Sequence, residues 1–369
     1  MSEATLNPPT RLLFGPGPTM VEPRVTEALG KPIVGPLDPY FFEVADRTRE
    51  LLRLVFGTRN ETTLVIPGTG SSGMETAVAN FVEPDSKFAV FANGYFCDRL
   101  SEMGVRQGAS VVRFEKPWGE VFGYEEAAEF VRREKPAVVA FVHAETSTGA
   151  LQDIRAITKA AREVDALVIA DTVTSLGAAP VSVNEAGIDI AYSCSQKGLS
   201  GPPGLSPFTA SPRAMERLRA RKAPLHHWYL DLKLLSDYYD GRKYHHTVST
   251  PLFYALHESL RLIQEEGLQN RFDRHLRNHL ALVRGLEAMG LEMHVAAGHR
   301  IPNVNTPRVP EGVDDAKVRK HLLEKHGIEI AGGFGPLAGK IFRIGLMGPL
   351  ANESSVSQFL DAFRDALRT

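Results

Sequence analysis

The chain has 369 residues, enough for one large domain and a smaller second one at ~100–200 residues per domain. Hydrophobic residues make up 43% and charged residues 23%, a globular balance that excludes disorder and fibrous folds. The net charge of -2, from 42 Lys+Arg against 44 Asp+Glu, gives no electrostatic pull toward nucleic acid or an anionic membrane.

Two cysteines, Cys97 and Cys194, cannot build a disulfide framework, and no CxxC pair is present for zinc. That usage points to a reducing compartment. The start, MSEATLNPPTR, lacks the basic and apolar regions of a secretory signal and is poor in Arg for a transit peptide. Apolar runs such as AVVAFV fall far short of the ~20 residues that span a bilayer. The final ALRT is not a peroxisomal signal. The expectation is a soluble cytoplasmic protein.

From about residue 50 to 220, short apolar runs alternate with amphipathic stretches. The runs are LVIP (64–67), FAVFA (88–92), VVRF (111–114), AVVAFVH (137–143), ALVIAD (166–171), IAYSC (190–194) and SPFTA (206–210). Seven buried strands separated by helices read as an α/β fold with a mainly parallel seven-stranded sheet. Uniformly apolar strands suit a sheet covered on both faces. The basic cluster Arg213, Arg217, Arg219, Arg221 and Lys222 reads as a solvated helix end.

A long helix, STPLFYALHESLRLIQEEG, stops at Gly267, and another covers roughly 268–289. Thereafter the texture changes. IPNVNTPRVPEGV (301–313) reads as a Pro-punctuated pair of strands, VDDAKVRKHLLEKHG as a helix, IEIAGG and KIFRIGLMG as strands, and SVSQFLDAFRDALR as a closing helix. The expected organisation is an N-terminal arm (1–20), a large domain (21–267) and a smaller α+β domain (268–369).

Residues 64–75, LVIPGTGSSGME, run from a strand through a glycine turn into a helix expected to begin near Ser72. Gly68, Gly70 and Gly73 spell GxGxxG, the dinucleotide fingerprint. The acidic residue that should end the next strand is missing, because FAVFAN ends in Asn93. The anion logic survives: free N–H groups at the helix start, with hydroxyls from Thr69, Ser71 and Ser72, form a phosphate cradle. The plain alternative is an ordinary capped βα turn.

ALVIADTV puts Asp171 at the carboxyl end of an apolar strand, and DIAYSCSQK delivers Lys197 at the end of the next. Ligands of open α/β sheets bind at that edge. A desolvated Lys becomes nucleophilic. A carboxylate can hold a protonated pyridine nitrogen. Schiff-base lysine, pyridinium partner and anion site are the requirements of pyridoxal phosphate.

SCSQKGLSGPPG resembles the lysine motif of class V, fold-type I pyridoxal-phosphate aminotransferases, most closely those acting as alanine–glyoxylate and serine–pyruvate aminotransferases. The likeness extends through LLFGPGPT (12–19), FANGYF (91–96), HAETSTGAL (143–151), VIADTVTSLGA (168–178), KYHHT (243–247) and IEIAGGFGPLAGKIFRIGLMG (328–348). The resemblance implies that Lys197 carries the cofactor, Asp171 pairs with its pyridine nitrogen, Val173 packs under the ring and Phe96 stacks on the other face. It implies that Thr69, Gly70, Ser71 and Gln196 line the phosphate and that Thr146 sits near O3′. Tyr244 and Thr247 would reach the phosphate of the neighbouring subunit, making a homodimer with shared sites. Arg343 would clamp the substrate carboxylate, since its planar fork matches one bidentately. Gly17 and the turn from Gly35 to Leu37, the latter from the partner, would line a small side-chain pocket. Mammalian relatives carry Trp at the place of Phe96 and His at that of Ser71.

The implied activity is ping-pong transamination from alanine or serine to glyoxylate or pyruvate. Related readings are the ureidoglycine–glyoxylate, 2-aminoethylphosphonate–pyruvate and pyridoxamine–pyruvate transaminases. A pyridoxal-phosphate lyase or desulfurase would need a mobile Cys near the C-terminal domain, and none follows Cys194. A nicotinamide dehydrogenase and a non-enzymatic cofactor binder complete the alternatives. The pairs His226–His227 and His245–His246 lack HxH or HExxH spacing, so no metal site is expected.

Overall fold

All seven apolar runs form strands in the computed structural model, which describes residues 6–368. Residues 1–5, including the beginning of the expected arm and of the segment read for a leader, lie outside the described residues, as does Thr369. In chain order the strands are β1 (Thr62–Pro67), β2 (Lys87–Ala92), β3 (Ser110–Glu115), β4 (Val138–Val142), β5 (Leu167–Asp171), β6 (Ile190–Tyr192) and β7 (Leu205–Ala210). They make one sheet in the order β1-β7-β6-β5-β4-β2-β3. Only β7 runs antiparallel, pairing with β1 on one side and β6 on the other. β4 and β5 are buried at every position, as helices on both faces require.

Helices between the strands follow from local signals. Asp153 caps Ile154–Arg162 by accepting from Arg155 N, and Ser211 caps Pro212–Ala220 by accepting from Ala214 N. The helix Thr250–Glu266 ends at Gly267, whose φ of 80° suits glycine, and Leu268–Ala288 follows directly. No described helix is long and apolar enough to cross a membrane.

A second core gathers Phe14, Leu282, Leu286, Ile328, Phe342, Ile344, Phe359 and Phe363. The chain start belongs to it. Leu12 pairs with Ile328 in parallel, and Gly345 N donates to Phe14 O at 2.6 Å. This stitch brings residues 15–17 up to the strand carrying Arg343 (Phe342–Gly345). The expected strand pair in 301–313 reduces to Val304–Asn305, paired with Gly345 and Ile344, and to single bridges at Pro307 and Arg308. Pro302, Pro307 and Pro310 lack the N–H donors a longer ladder needs.

The basic cluster is a solvated helix end only in part: Arg219 and Lys222 are exposed, whereas Arg213, Arg217 and Arg221 are held by partners. Arg213 bonds Asp189 and Asp165, Arg217 bonds Asp165, and Arg221 donates to the carbonyls of Ala79, Asn80 and Val82. These arginines satisfy groups near the amino ends of β5 and β6 and the end of the helix Gly70–Phe81.

Candidate active site

The carboxyl ends of β1, β2, β4, β5 and β6 open on one cavity of about 360 Å³, closed on its far side by residues 15–17 and by the C-terminal strands. Most residues singled out in the sequence meet there: Gly17, Thr69, Gly70, Ser71, Phe96, Thr146, Asp171, Val173, Gln196, Lys197 and Arg343.

Lys197 is buried, and its Nζ donates to Thr146 Oγ1 at 3.0 Å and Thr174 Oγ1 at 3.4 Å. Burial lowers its pKa to about 8, enriching the neutral, nucleophilic amine. Gly17 lies against this side chain. A Cβ there would stand 2.9 Å from Lys197 Cγ, on a backbone whose φ of +113° also selects glycine.

Asp171 ends β5. Its Oδ1 accepts from Val173 N at 2.8 Å and its Oδ2 from the Tyr192 hydroxyl at 2.9 Å. Among the described residues it makes no ion pair, and burial pushes its carboxyl up to about 6. It is a buried acid waiting for a cationic partner.

The helix Gly70–Phe81 begins at Gly70, two residues before the expected Ser72. A Cβ on Gly70 would press on Val173 Cγ2 at 2.9 Å, so only glycine lets the helix start approach. The Ser72 hydroxyl does not join the cradle: it donates to Thr69 O at 2.8 Å, locking the turn. Ser71 Oγ instead accepts from Arg99 Nη1 at 2.8 Å.

Arg343 is buried at the opposite end. Its Nε donates to Gly332 O at 2.7 Å and its guanidinium carbon lies 3.9 Å from the centre of the Phe334 ring. Burial lowers its pKa to about 10, which leaves it cationic at neutral pH.

Three predicted residues stand apart from this cavity. Tyr244 and Thr247 are exposed and bond each other at 3.1 Å, and Gly35 lies on a surface turn. The resemblance assigned all three to a neighbouring subunit's site.

Arg99, Glu145 and Phe334 went unnoticed in the sequence. Arg99 lies one helical turn after Phe96, a spacing that could have exposed it. Glu145 is wholly buried and accepts from Phe96 N at 3.2 Å and from Ser147 N at 3.0 Å, seating Phe96. Of the histidine pairs, His245 stacks on Trp228 with ring centres 4.4 Å apart, and His227 bonds Gln107. Among the described residues one group of three donors, His321, His326 and Asp365, lies close enough to share an ion. There the Lys325 ammonium donates to the same Asp365 oxygen and supplies the cation.

The donor set fits pyridoxal phosphate. The cradle offers a helix start, two hydroxyls and Arg99 to a phosphate. The Gln196 side-chain amide stands at the cavity wall, where its NH2 group can donate to a phosphate oxygen. Lys197 and the unpaired Asp171 supply the amine and the acid. Fold and site together define a fold-type I enzyme that works through pyridoxal phosphate.

The chain matches the Aminotransferase class-V family over residues 13–341. It is 40% identical to the (S)-ureidoglycine–glyoxylate transaminase of Bacillus subtilis, over 94% of this chain and 88% of that one. It is 39% identical to the alanine–glyoxylate aminotransferase of Callithrix jacchus, over 98% and 89%. The crystal structure of the alanine–glyoxylate aminotransferase of Nostoc sp. superposes with a TM-score of 0.98 at 46% identity, covering 100% and 98% of the two chains. The protein therefore belongs to the class-V aminotransferases, which are pyridoxal-phosphate-dependent enzymes.

Proposed function

We propose that this enzyme moves an amino group from alanine or serine to a small oxo acid, glyoxylate or pyruvate, by a ping-pong route. The observation that carries the reading is one cavity holding Lys197 with a lowered pKa, the unpaired acid Asp171 and the buried cation Arg343. The relatives named above differ in donor and share glyoxylate, which favours glyoxylate as acceptor.

Bound pyridoxal phosphate supplies an electron sink for charge that develops on the substrate Cα. Asp171 would hold a proton on its pyridine nitrogen, and Val173 and Phe96 would enclose its ring. Thr69, Gly70, Ser71 and Gln196 would hold the phosphate. Thr146, which already bonds Lys197 Nζ, would stand near O3′. Arg343 binds the substrate carboxylate and fixes which bond at Cα is aligned for cleavage. The Lys197 amine takes the proton that leaves Cα and would deliver it to the C4′ carbon of the cofactor, acting as base and then acid. A pKa near 8 lets one amine do both at neutral pH.

We also infer a cytoplasmic homodimer in which Tyr244 and Thr247 complete the partner's cradle. Exposed Ile33, Trp228, Tyr229 and Tyr244 support a covered face. A desulfurase reading is disfavoured because Cys97 and Cys194 are both buried.

The test is a panel of amino donors against glyoxylate and pyruvate, compared by kcat/KM. Alanine or serine with glyoxylate should lead. A panel led by ureidoglycine would replace the donor assignment, and no transfer from any donor would sink the reading.

A further inference from the structure

Contacting cations and aromatic rings link the cradle at one end of the cavity to Arg343 at the other. The series starts at the cradle, where Arg99 bonds Ser71 and lies over the rings of Phe96 and Tyr95, at 5.0 Å and 5.6 Å. Tyr95 meets Phe334 with ring centres 5.0 Å apart, and Phe334 in turn covers Arg343 at 3.9 Å. Tyr95 comes from the helix after β2, whereas Phe334 belongs to the C-terminal loop Gly332–Gly335. The contact therefore joins the two halves of the site.

The loop that carries Phe334 is closely packed. A Cβ on Gly333 would lie 2.0 Å from Leu337 O, one on Gly332 would lie 2.9 Å from Asp315 Oδ2, and Gly335 has φ +48°. Leu337 N donates to Phe334 O at 2.9 Å, closing the turn. The same loop's Gly332 carbonyl takes Arg343 Nε. One short segment thus aims the guanidinium and lays a ring on its face. Phe334 lines the cavity and is 38% exposed, and Tyr95 beside it is 39% exposed, so the pair stands on the solvent side of the site. The cavity of about 360 Å³ is at the small end for a ligand site, and cofactor and substrate share it.

Resting on the transaminase reading, we propose that Phe334 determines specificity: its ring, braced by Tyr95 and stacked on Arg343, restricts the donor to amino acids with small side chains. The wall acts by steric exclusion at a closely packed position, so it discriminates by side-chain volume and not by charge.

The experiment compares wild type, Phe334→Ala and Phe334→Leu holoenzymes with alanine and leucine as donors to glyoxylate. Calorimetric affinities of acetate and 4-methylpentanoate, which do not react, are measured beside them. The leucine-to-alanine ratio of kcat/KM should rise at least ~10-fold in Phe334→Ala and by a smaller factor in Phe334→Leu, as expected when a pocket gains several methylenes of room. The affinity ratio of the two carboxylates should move the same way. If Phe334→Ala fails to fold by circular dichroism, a Phe334→Leu ratio within twofold of wild type overturns the proposal. An unchanged ratio in folded Phe334→Ala, with both donors weakened equally, also overturns it and leaves the ring only a support for Arg343. A wild type that transfers from no donor overturns the transaminase reading and this inference with it.

Discussion

Asp171 and Asp189 sit at opposite ends of neighbouring strands, and both are almost fully buried, at 2% and 1% exposure. Asp189 precedes β6 at the amino edge of the sheet. It accepts from Arg213 at 2.8 Å, Arg162 at 3.2 Å, Ser211 Oγ at 3.0 Å and Val168 N at 3.0 Å. Asp171 has a hydroxyl and an amide but no cation. The same side chain is thus saturated where the fold is closed and left short of a positive partner where the strands open on the cavity. A buried carboxylate without a cation is costly, and proteins keep such groups where a ligand completes them. The difference separates structure from function on one sheet, and substitutions at each edge can break it.

Lys197 carries the largest expected effect. Lys197→Met should lower transamination by about 10⁴-fold or more, since it removes both the amine that carries the cofactor and the proton carrier. Borohydride should no longer fix the cofactor to this position, as peptide mapping would check. Stability should move the other way. The folded pKa of about 8 lies below the ordinary 10.5, so stability tied to this lysine is full above pH 10.5 and is lost as pH falls through 8. The cofactor-free variant should therefore melt higher than wild type at pH 7, with the gain fading across pH 8 to 10.5. A variant that melts lower at pH 7 would contradict the idea of a strained, functional amine.

Asp171→Asn comes next. Activity should fall about 10²–10³-fold, because a neutral amide cannot hold the pyridine proton. Here the folded pKa of about 6 lies above the ordinary 3.8. Stability from this group is full below pH 3.8 and is lost as pH rises through 6. In cofactor-free protein the Asn variant should match or exceed wild type at pH 7 and lose that advantage below pH 4. Thermal melts across that range read it directly.

Asp189→Asn should reverse the pattern. It leaves two guanidinium groups facing a neutral amide, at a cost of about 3 kcal/mol measured by denaturant titration. Activity per folded molecule should stay at the wild-type level. If activity falls in step with Asp171→Asn, the contrast between the two edges is wrong.

How far the sequence reaches follows the same division. Seven strands were legible because each is a short, uniformly apolar run between polar segments, and Gly267 marked a helix end. The antiparallel sense of β7 was not, since an apolar run has no direction written in it. Asp171 and Lys197 were legible because chemistry-bearing residues ending buried strands are rare. Arg99, Glu145 and Phe334 were not, because each acts through a contact made across the fold: Arg99 with Ser71, Glu145 with Phe96 N, Phe334 with Arg343. Arg213, Arg217 and Arg221 looked solvated because most of their acceptors lie 24 to 142 residues away in the chain.

That last group supplies the smallest effects and the sharpest check on the amino edge. Arg217 bonds Asp165, whose side chain is 80% exposed, so water screens the pair. Arg217→Ala should cost no more than about 1 kcal/mol. Arg213 also bonds Asp165, yet it reaches buried Asp189, which without it keeps Ser211 Oγ, Val168 N and a single described cation, Arg162 at 3.2 Å. Arg213→Ala should cost about 2–3 kcal/mol, because a partly unpaired carboxylate remains inside the protein. Equal losses from the two variants would mean that the number of ion pairs holds this edge. Unequal losses would place the weight on the one buried carboxylate, which is the property that distinguishes it from Asp171.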